Sequence, residues 1–226
     1  MDARAAVAAR NNAEWCDAVC RAHGITTSFD PNSWVALRRS PPMYPDAVTL
    51  NEYASAGDVL RRVDASPGCS IKDSFGSLDY ARDSFRLLFD AEWIHREPSQ
   101  HRAGDGLTWS VVRTPDKLVA WGAAHGGGEV FGPVLLDDPA VTILMARDGQ
   151  GVSAGAIGYR SRSVVGVSNL FTTTADIDQA WAGAIAVISA QDPDLPLVGY
   201  ENGASLRAAR RAGFVSVGPL RVWMKD

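Results

Sequence analysis

The chain has 226 residues, enough for one large domain or two small ones, and 46% of them are apolar against 21% charged. Seven Trp, seven Phe and five Tyr can bury more surface than a disordered chain carries, and no run of about 18 apolar residues offers a membrane span. A net charge of −4 argues against a general nucleic-acid surface.

Cations are almost all Arg, and Ala is abundant, a bias that points to a GC-rich, bacterial coding genome. The first twelve residues hold no continuous apolar stretch, so they do not read as a secretory signal. Cys16, Cys20 and Cys69 are too few for a disulfide framework and form no CxxC pair. They read as structural thiols of a cytoplasmic protein. No HExxH or paired-His spacing supports a metal.

Residues 2–23 predict an Ala-rich helix stopped at His23-Gly24. Residues 25–46, with Pro31, Pro41, Pro42 and Pro45, predict an irregular arm anchored by Trp34 and Tyr44. A strand is expected at 47–52, a short helix at 56–64 and an aromatic-ended strand at Phe85–Arg96. Alternation in that strand puts Asp90 and Glu92 on one face, where a substrate amine or, the favoured reading, ion pairs to Arg86 or Arg96 would satisfy them. Residues 107–113 predict another strand. Pro115-Asp116 opens a helix that ends in Gly126-Gly127-Gly128. His95, His101 and His125 read as loop histidines.

From residue 141 the pattern is clearer. Strands at 141–147, 152–159 and 164–172 predict a meander. Ile177, Trp181, Ile185 and Ile188 form one stripe of a helix at 175–190. A strand at 195–200, an Asn202-capped helix at 203–212 closed by Gly213, and a last strand at 215–225 follow. Antiparallel strands thus give way to a βαβ crossover.

This order, with Tyr200-Glu201-Asn202-Gly203 running to Arg211-Ala212-Gly213-Phe214, resembles the GNAT N-acetyltransferase superfamily. Gly155-Ala156-Ile157 followed by Val165-Gly166-Val167-Ser168-Asn169 is similar to the family's central hairpin. The resemblance is clearest over 107–226. It makes 1–46 an N-terminal helix and arm, and 47–226 an acyltransferase fold in which 47–100 reads either as part of the same fold or as a degenerate second half. It implies an α/β (α+β) fold with a mixed, largely antiparallel central sheet flanked by helices.

The resemblance also implies acetyl-CoA or another acyl-CoA as co-substrate, and no metal. The thioester arm would lie on Asn169, Leu170, Phe171 and Thr172, with the phosphates near Thr173 and Thr174 at the next helix start. Two departures stand out. The family's Arg/Gln-x-x-Gly-x-Gly/Ala loop reads here Thr172-Thr173-Thr174-Ala175-Asp176-Ile177-Asp178, without Arg or Gly and with two carboxylates. That loop reads equally as a helix capping itself through Thr173-x-x-Asp176 or as a modified phosphate site. Ala209 stands where many members carry a Tyr that protonates the leaving thiolate.

An amine acceptor needs a base, and Glu201 at a strand end is the first candidate. Asn202 and Arg207 complete the candidate cofactor contacts, Arg207 sharing a helix face with Arg211. Two readings follow: an N-acyltransferase acting on a small-molecule amine or amino-acid-like acceptor, or a GNAT-like cleft that binds or reacts without acyl transfer. Neither calls for nucleic acid or membrane, and both are compatible with a homodimer built on the N-terminal helix and arm.

Overall fold

The computed structural model describes residues 2–99, 107–149 and 151–226. It divides into two compact units, residues up to 93 together with 216–226, and residues 94–215. The expectation for His101 lies outside the described residues.

The first unit opens with helix α1 (Ala3–Ala22), N-capped by the Asp2 carboxylate on the Arg4 amide and ended at His23. Its inner face is Ala5, Ala8, Ala9, Trp15, Cys16, Val19 and Cys20. The following stretch is not the irregular arm that its prolines predict. Strands β1 (Thr27–Phe29) and β2 (Ser33–Ala36) pair antiparallel there. Pro31 sits in their turn, where the Asp30 carboxylate accepts the Asn32 and Ser33 amides at 2.6 and 2.7 Å. Pro41, Pro42 and Pro45 follow β2 and interrupt no ladder. Trp34 and Tyr44 are buried as expected.

Strand β3 (Ala47–Thr49) pairs antiparallel with β2. Helix α2 (Ala56–Leu60), shorter than its apolar pattern predicts, crosses over to β4 (Ser70–Asp73), which runs parallel to β3. Strand β4 has one aliphatic residue in four and gives no period-2 signal, so the sequence did not announce it. Strand β5 (Phe85–Arg96) matches its expected bounds. The closing strand of the chain (Val215–Lys225) pairs antiparallel with β4 and stands between β4 and β5. Val35, Ala47, Ile71, Tyr80, Phe85 and Trp223 fill the core under Val59 of α2. Asp90 lies 3.4 Å from Arg221, not beside Arg86 or Arg96; Arg86 reaches Asp226 instead. His95 is a buried member of β5, not a loop residue.

The second unit carries β6 (Thr108–Val111), α3 (Pro115–His125), two 3-10 turns (Gly128–Val130 and Pro133–Leu136), β7 (Val141–Asp148), β8 (Gly151–Arg160), β9 (Val165–Thr172), α4 (Ile177–Gln191), β10 (Leu197–Glu201) and α5 (Gly203–Arg211). Strands β6 to β9 form an antiparallel meander, and α4 carries the chain to β10, parallel to β9. The stripe of α4 (Trp181, Ala184, Ile185, Ile188) meets Leu144, Ala156, Val165, Val167 and Leu197 of the sheet and Leu206, Ala208 and Ala209 of α5. Trp181 and Phe214 close this core edge to face at 5.2 Å.

Each unit is a mixed, largely antiparallel sheet with helices against it. The two share a plan: a helix, an antiparallel meander, then a helical crossover to a parallel strand. They differ at the end of that parallel pair. In the first unit the Ser74 amide donates to Thr49 Oγ1 at 2.8 Å, both residues fully buried, which ties the strand ends together.

Candidate functional site

In the second unit the corresponding strand ends come apart. Pairing of β9 with β10 is confined to Val165 with Leu197 and Gly166 with Val198. Gly199 follows at once, and a Cβ there would lie 2.7 Å from the Val167 carbonyl oxygen, so only glycine lets β10 pass so near β9 before the two part. Counted on three residues from the last pair, Glu201 of β10 stands level with Asn169 of β9.

On its other edge β9 carries a bulge. Gly155 pairs with Phe171 and Ile157 with Ser168, so Ala156 alone opposes Asn169 and Leu170. Asn169 adopts φ 52°, a left-handed conformation that Asn tolerates better than most residues. A bulge leaves its extra residue outside the ladder and bends the strand. The β9 backbone beyond Gly166 is therefore unpaired toward β10 and kinked at Asn169, which is the requirement for holding an extended ligand by main-chain hydrogen bonds. The bulge carried no sequence signal beyond an Asn in a strand. Leu170 packs its side chain into the α4 core, so only its backbone can serve a ligand.

Glu201 is partly buried at the end of β10, and burial pushes its carboxyl up to about 7. Among the described residues no opposite charge offsets that penalty. At neutral pH such a group exchanges a proton readily, as a general base must.

The helix start after β9 is closed to a phosphate in its ordinary form. Asp176, not Thr173, is the N-cap of α4 and accepts the Asp178 and Gln179 amides at 2.9 and 3.2 Å. Thr173 Oγ1 donates to the Val152 carbonyl and Thr174 Oγ1 to Asp148. Arg211 grips Asp178 in a bidentate pair at 2.6 and 2.9 Å. The carboxylates thus cap and tie the helix, the self-capping alternative of the sequence.

Asn202 occupies the N-cap position of α5, but its side chain makes no cap hydrogen bond, contrary to expectation. The first amides of α5 thus have no side-chain cap. Arg207 is exposed on that helix. Ala209 is buried in the core and brings no hydroxyl.

On the α3 side of β9 an aromatic group forms that no sequence motif announced. Phe171 meets Trp121 and His125 edge-on, with ring centroids at 5.3 Å in both pairs. His125 stacks on Trp121 at 5.0 Å and stands edge-on to Phe131 at 5.1 Å. Trp121 and His125, four apart on one helix face, and Gly155 inside an otherwise apolar strand were the available signals.

Burial pushes the thiols of Cys16, Cys20 and Cys69 up to about 11, 12 and 12, so all three are inert. Among the described residues no group of three His, Cys, Asp or Glu could hold a metal, and no helix is long and apolar enough to cross a membrane.

No protein-family profile and no curated protein matches the sequence. Solved structures do. A GCN5-related N-acetyltransferase from Kribbella flavida superposes with a TM-score of 0.64 at 14% identity, covering 97% of this chain and 96% of its own. A GCN5-related N-acetyltransferase-like protein from Streptococcus suis 89/1591 gives 0.56 at 13% identity with all of both chains covered. A conserved protein of unknown function from Staphylococcus epidermidis gives 0.57 at 10% identity over 88% of this chain and 92% of its own. Together with the meander, the parallel crossover and the parted strands, these likenesses establish that the chain has the fold of the GNAT N-acetyltransferases.

Proposed function

We propose that the chain is an acyl-CoA-dependent N-acyltransferase acting on a small-molecule amine, with its site where β9 and β10 part. The observation that carries the reading is the pairing of an opened, bulged β9 with a raised carboxyl at Glu201. An acyl-CoA would supply a thioester, a carbonyl activated toward amine attack. The residues present fit its pantetheine arm, since β9 beyond Gly166 offers main-chain groups that no strand uses. They fit its diphosphate poorly at α4, whose first amides are taken by Asp176. The uncapped start of α5 at Asn202 and the exposed Arg207 are the phosphate contacts in this reading.

Within the site each group has a chemical task. Main-chain amides at the Asn169 bulge polarise the thioester carbonyl as a preorganised dipole pair. Glu201, ionised above about pH 7, takes the proton that the amine must lose as its nitrogen bonds to the acyl carbon. The carbon–sulfur bond breaks, and the departing thiolate takes its proton from water, because Ala209 supplies none.

The test is acyl transfer itself. Purified protein incubated with acetyl-CoA and a panel of primary amines should yield N-acetylated products by mass spectrometry, and Glu201→Gln should abolish them. A second reading, a GNAT-fold cleft that binds without transfer, is favoured by the two carboxylates at the α4 start and by Ala209. It predicts ligand binding with no acetylated product from any amine.

A further inference from the structure

Between Val164 and Phe171 only Ser168 and Asn169 carry side chains that can hydrogen-bond. They bond to each other: Asn169 Nδ2 donates to Ser168 Oγ at 3.0 Å. A torsion that separates the two side chains is the left-handed φ of 52° at the bulge, so the irregular backbone and the side-chain bond are parts of one arrangement. Both residues are partly exposed. Among the described residues the Ser168 hydroxyl has no acceptor for its own proton. A hydroxyl whose oxygen already accepts a bond is a stronger donor for it. The bulge thus presents a hydroxyl held by its oxygen, with its proton left to give.

Ser168 stands two residues beyond Gly166, the last residue of β9 that pairs with β10, so it lies on the stretch of strand left open. Its direction follows from the register. Ser168 pairs with Ile157 of β8, whose neighbour Ala156 lies in the α4 core, so Ile157 and Ser168 point to the opposite face. Leu197 of β10 lies in the α4 core, and alternation sets Glu201 toward that same side. The opening therefore carries a carboxylate on one face and a hydroxyl proton on the other. That division suits addition to a thioester lying flat between the strands. An amine that gives its proton to Glu201 adds from the α4 face, and addition to one face of a planar carbonyl moves its oxygen toward the other. The oxygen thus nears a donor on the Ser168 face as charge builds on it, which favours the transition state over the bound thioester.

We propose that Ser168 is a catalytic residue of the transfer, its hydroxyl donating to the thioester oxygen as that oxygen takes up charge, and that Asn169 is the residue that positions it. This deepens the acyltransferase reading and rests on it. As the nitrogen–carbon bond forms, the electron pair of the carbonyl double bond moves onto oxygen, where Ser168 Oγ–H and the main-chain amides of the bulge hold it. The pair returns as the carbon–sulfur bond breaks. Ser168 keeps its proton throughout, so Glu201 still receives the amine proton and water still supplies the thiolate.

Steady-state transfer from acetyl-CoA to the primary amine of the panel that gives most product reads this, with acetyl-CoA affinity measured separately by calorimetry. Ser168→Ala should lower kcat by about 10-fold to 100-fold, with acetyl-CoA affinity and the KM of the amine within about twofold of wild type. The rise of rate with pH should remain, because Glu201 is untouched. Ser168→Thr keeps the hydroxyl and suits a strand, and should recover most of the lost rate. Asn169→Gly accepts the left-handed φ but frees the hydroxyl to turn, and should cost about threefold to tenfold in kcat. Asn169→Asp reverses the bond: its carboxylate accepts the Ser168 proton, so kcat should fall as far as in Ser168→Ala. Ser168→Ala at the wild-type kcat would overturn the inference and leave the acyltransferase reading standing. A loss of acetyl-CoA affinity in Ser168→Ala that matches its loss of rate would also overturn it, since Ser168 would then serve binding or structure alone. So would a Thr variant as slow as the Ala variant. Absence of transfer to any amine by the wild type would remove the acyltransferase reading itself, and this inference with it.

Discussion

Replacing Glu201 with Gln separates the chemical from the structural consequence of one buried carboxyl. Burial raises this group from 4.5 to about 7. Holding it there costs the ionised form roughly 3 kcal/mol relative to the unfolded chain, an upper figure because the side chain keeps some contact with water. Since the folded state binds the proton more tightly, the contribution of Glu201 to stability is fully present below about pH 4.5. It is lost as pH rises through about 7. Glu201→Gln cannot ionise, so its stability relative to the wild type should climb by up to about 3 kcal/mol between pH 4.5 and pH 8. Urea denaturation at four or five pH values reads this directly. Activity should move the other way. Wild-type kcat/KM should rise with pH to a plateau above about 7, as the base form fills, and Glu201→Gln should lose about 10²-fold to 10⁴-fold and the rising limb with it. A stability difference that stays flat with pH, or a variant that keeps the limb at full rate, would refute both the burial argument and the assignment of the base.

Other outcomes follow from particular contacts. Gly155→Ala places a methyl 2.4 Å from Phe171 and Trp121 and should cost about 1–3 kcal/mol in urea denaturation; no loss would mean those two rings are not fixed there. Asp176→Ala should lower stability by about 1 kcal/mol through loss of the α4 cap. It should also tighten acetyl-CoA binding if the Asp178 and Gln179 amides are then free for phosphate, and calorimetry showing weaker binding would contradict that account. Asn169→Gly should be tolerated and Asn169→Val should cost about 1–2 kcal/mol, because φ 52° penalises a β-branched residue; equal stabilities would rule out the left-handed bulge. The first unit, tied shut by Thr49 and Ser74, should take no second acyl-CoA, so titration should saturate at one ligand per chain.

Much of the second unit was legible because its signals are local. The α4 stripe, Pro115 at the start of α3 and the glycines closing α3 and α5 each act within one or two turns of chain. Strands β7 to β9 are eight to ten residues long and rich in apolar residues, long enough to be read as strands. The first unit was less legible for the opposite reason. Strands β1 and β2 are three and four residues long, and β4 holds one aliphatic residue, so their identity comes from partners distant in sequence. Prolines that suggested an arm lie outside the ladders rather than within them. At the site, Glu201 was found from chemistry and position, while its raised carboxyl required burial that no spacing reveals. Thr173 and Thr174 looked like free donors because their acceptors, the Val152 carbonyl and Asp148, lie more than twenty residues back. The bulge at Asn169 exists only as a mismatch between two strands, which a single strand cannot display.

If β9 and β10 part to receive an acyl-CoA, isothermal titration of the full chain with acetyl-CoA should show it. The expected result is a micromolar dissociation constant at one site per chain, with binding weakened by Arg207→Ala. No detectable heat or competition up to about 1 mM acetyl-CoA, an affinity weaker than about −4 kcal/mol, would contradict it.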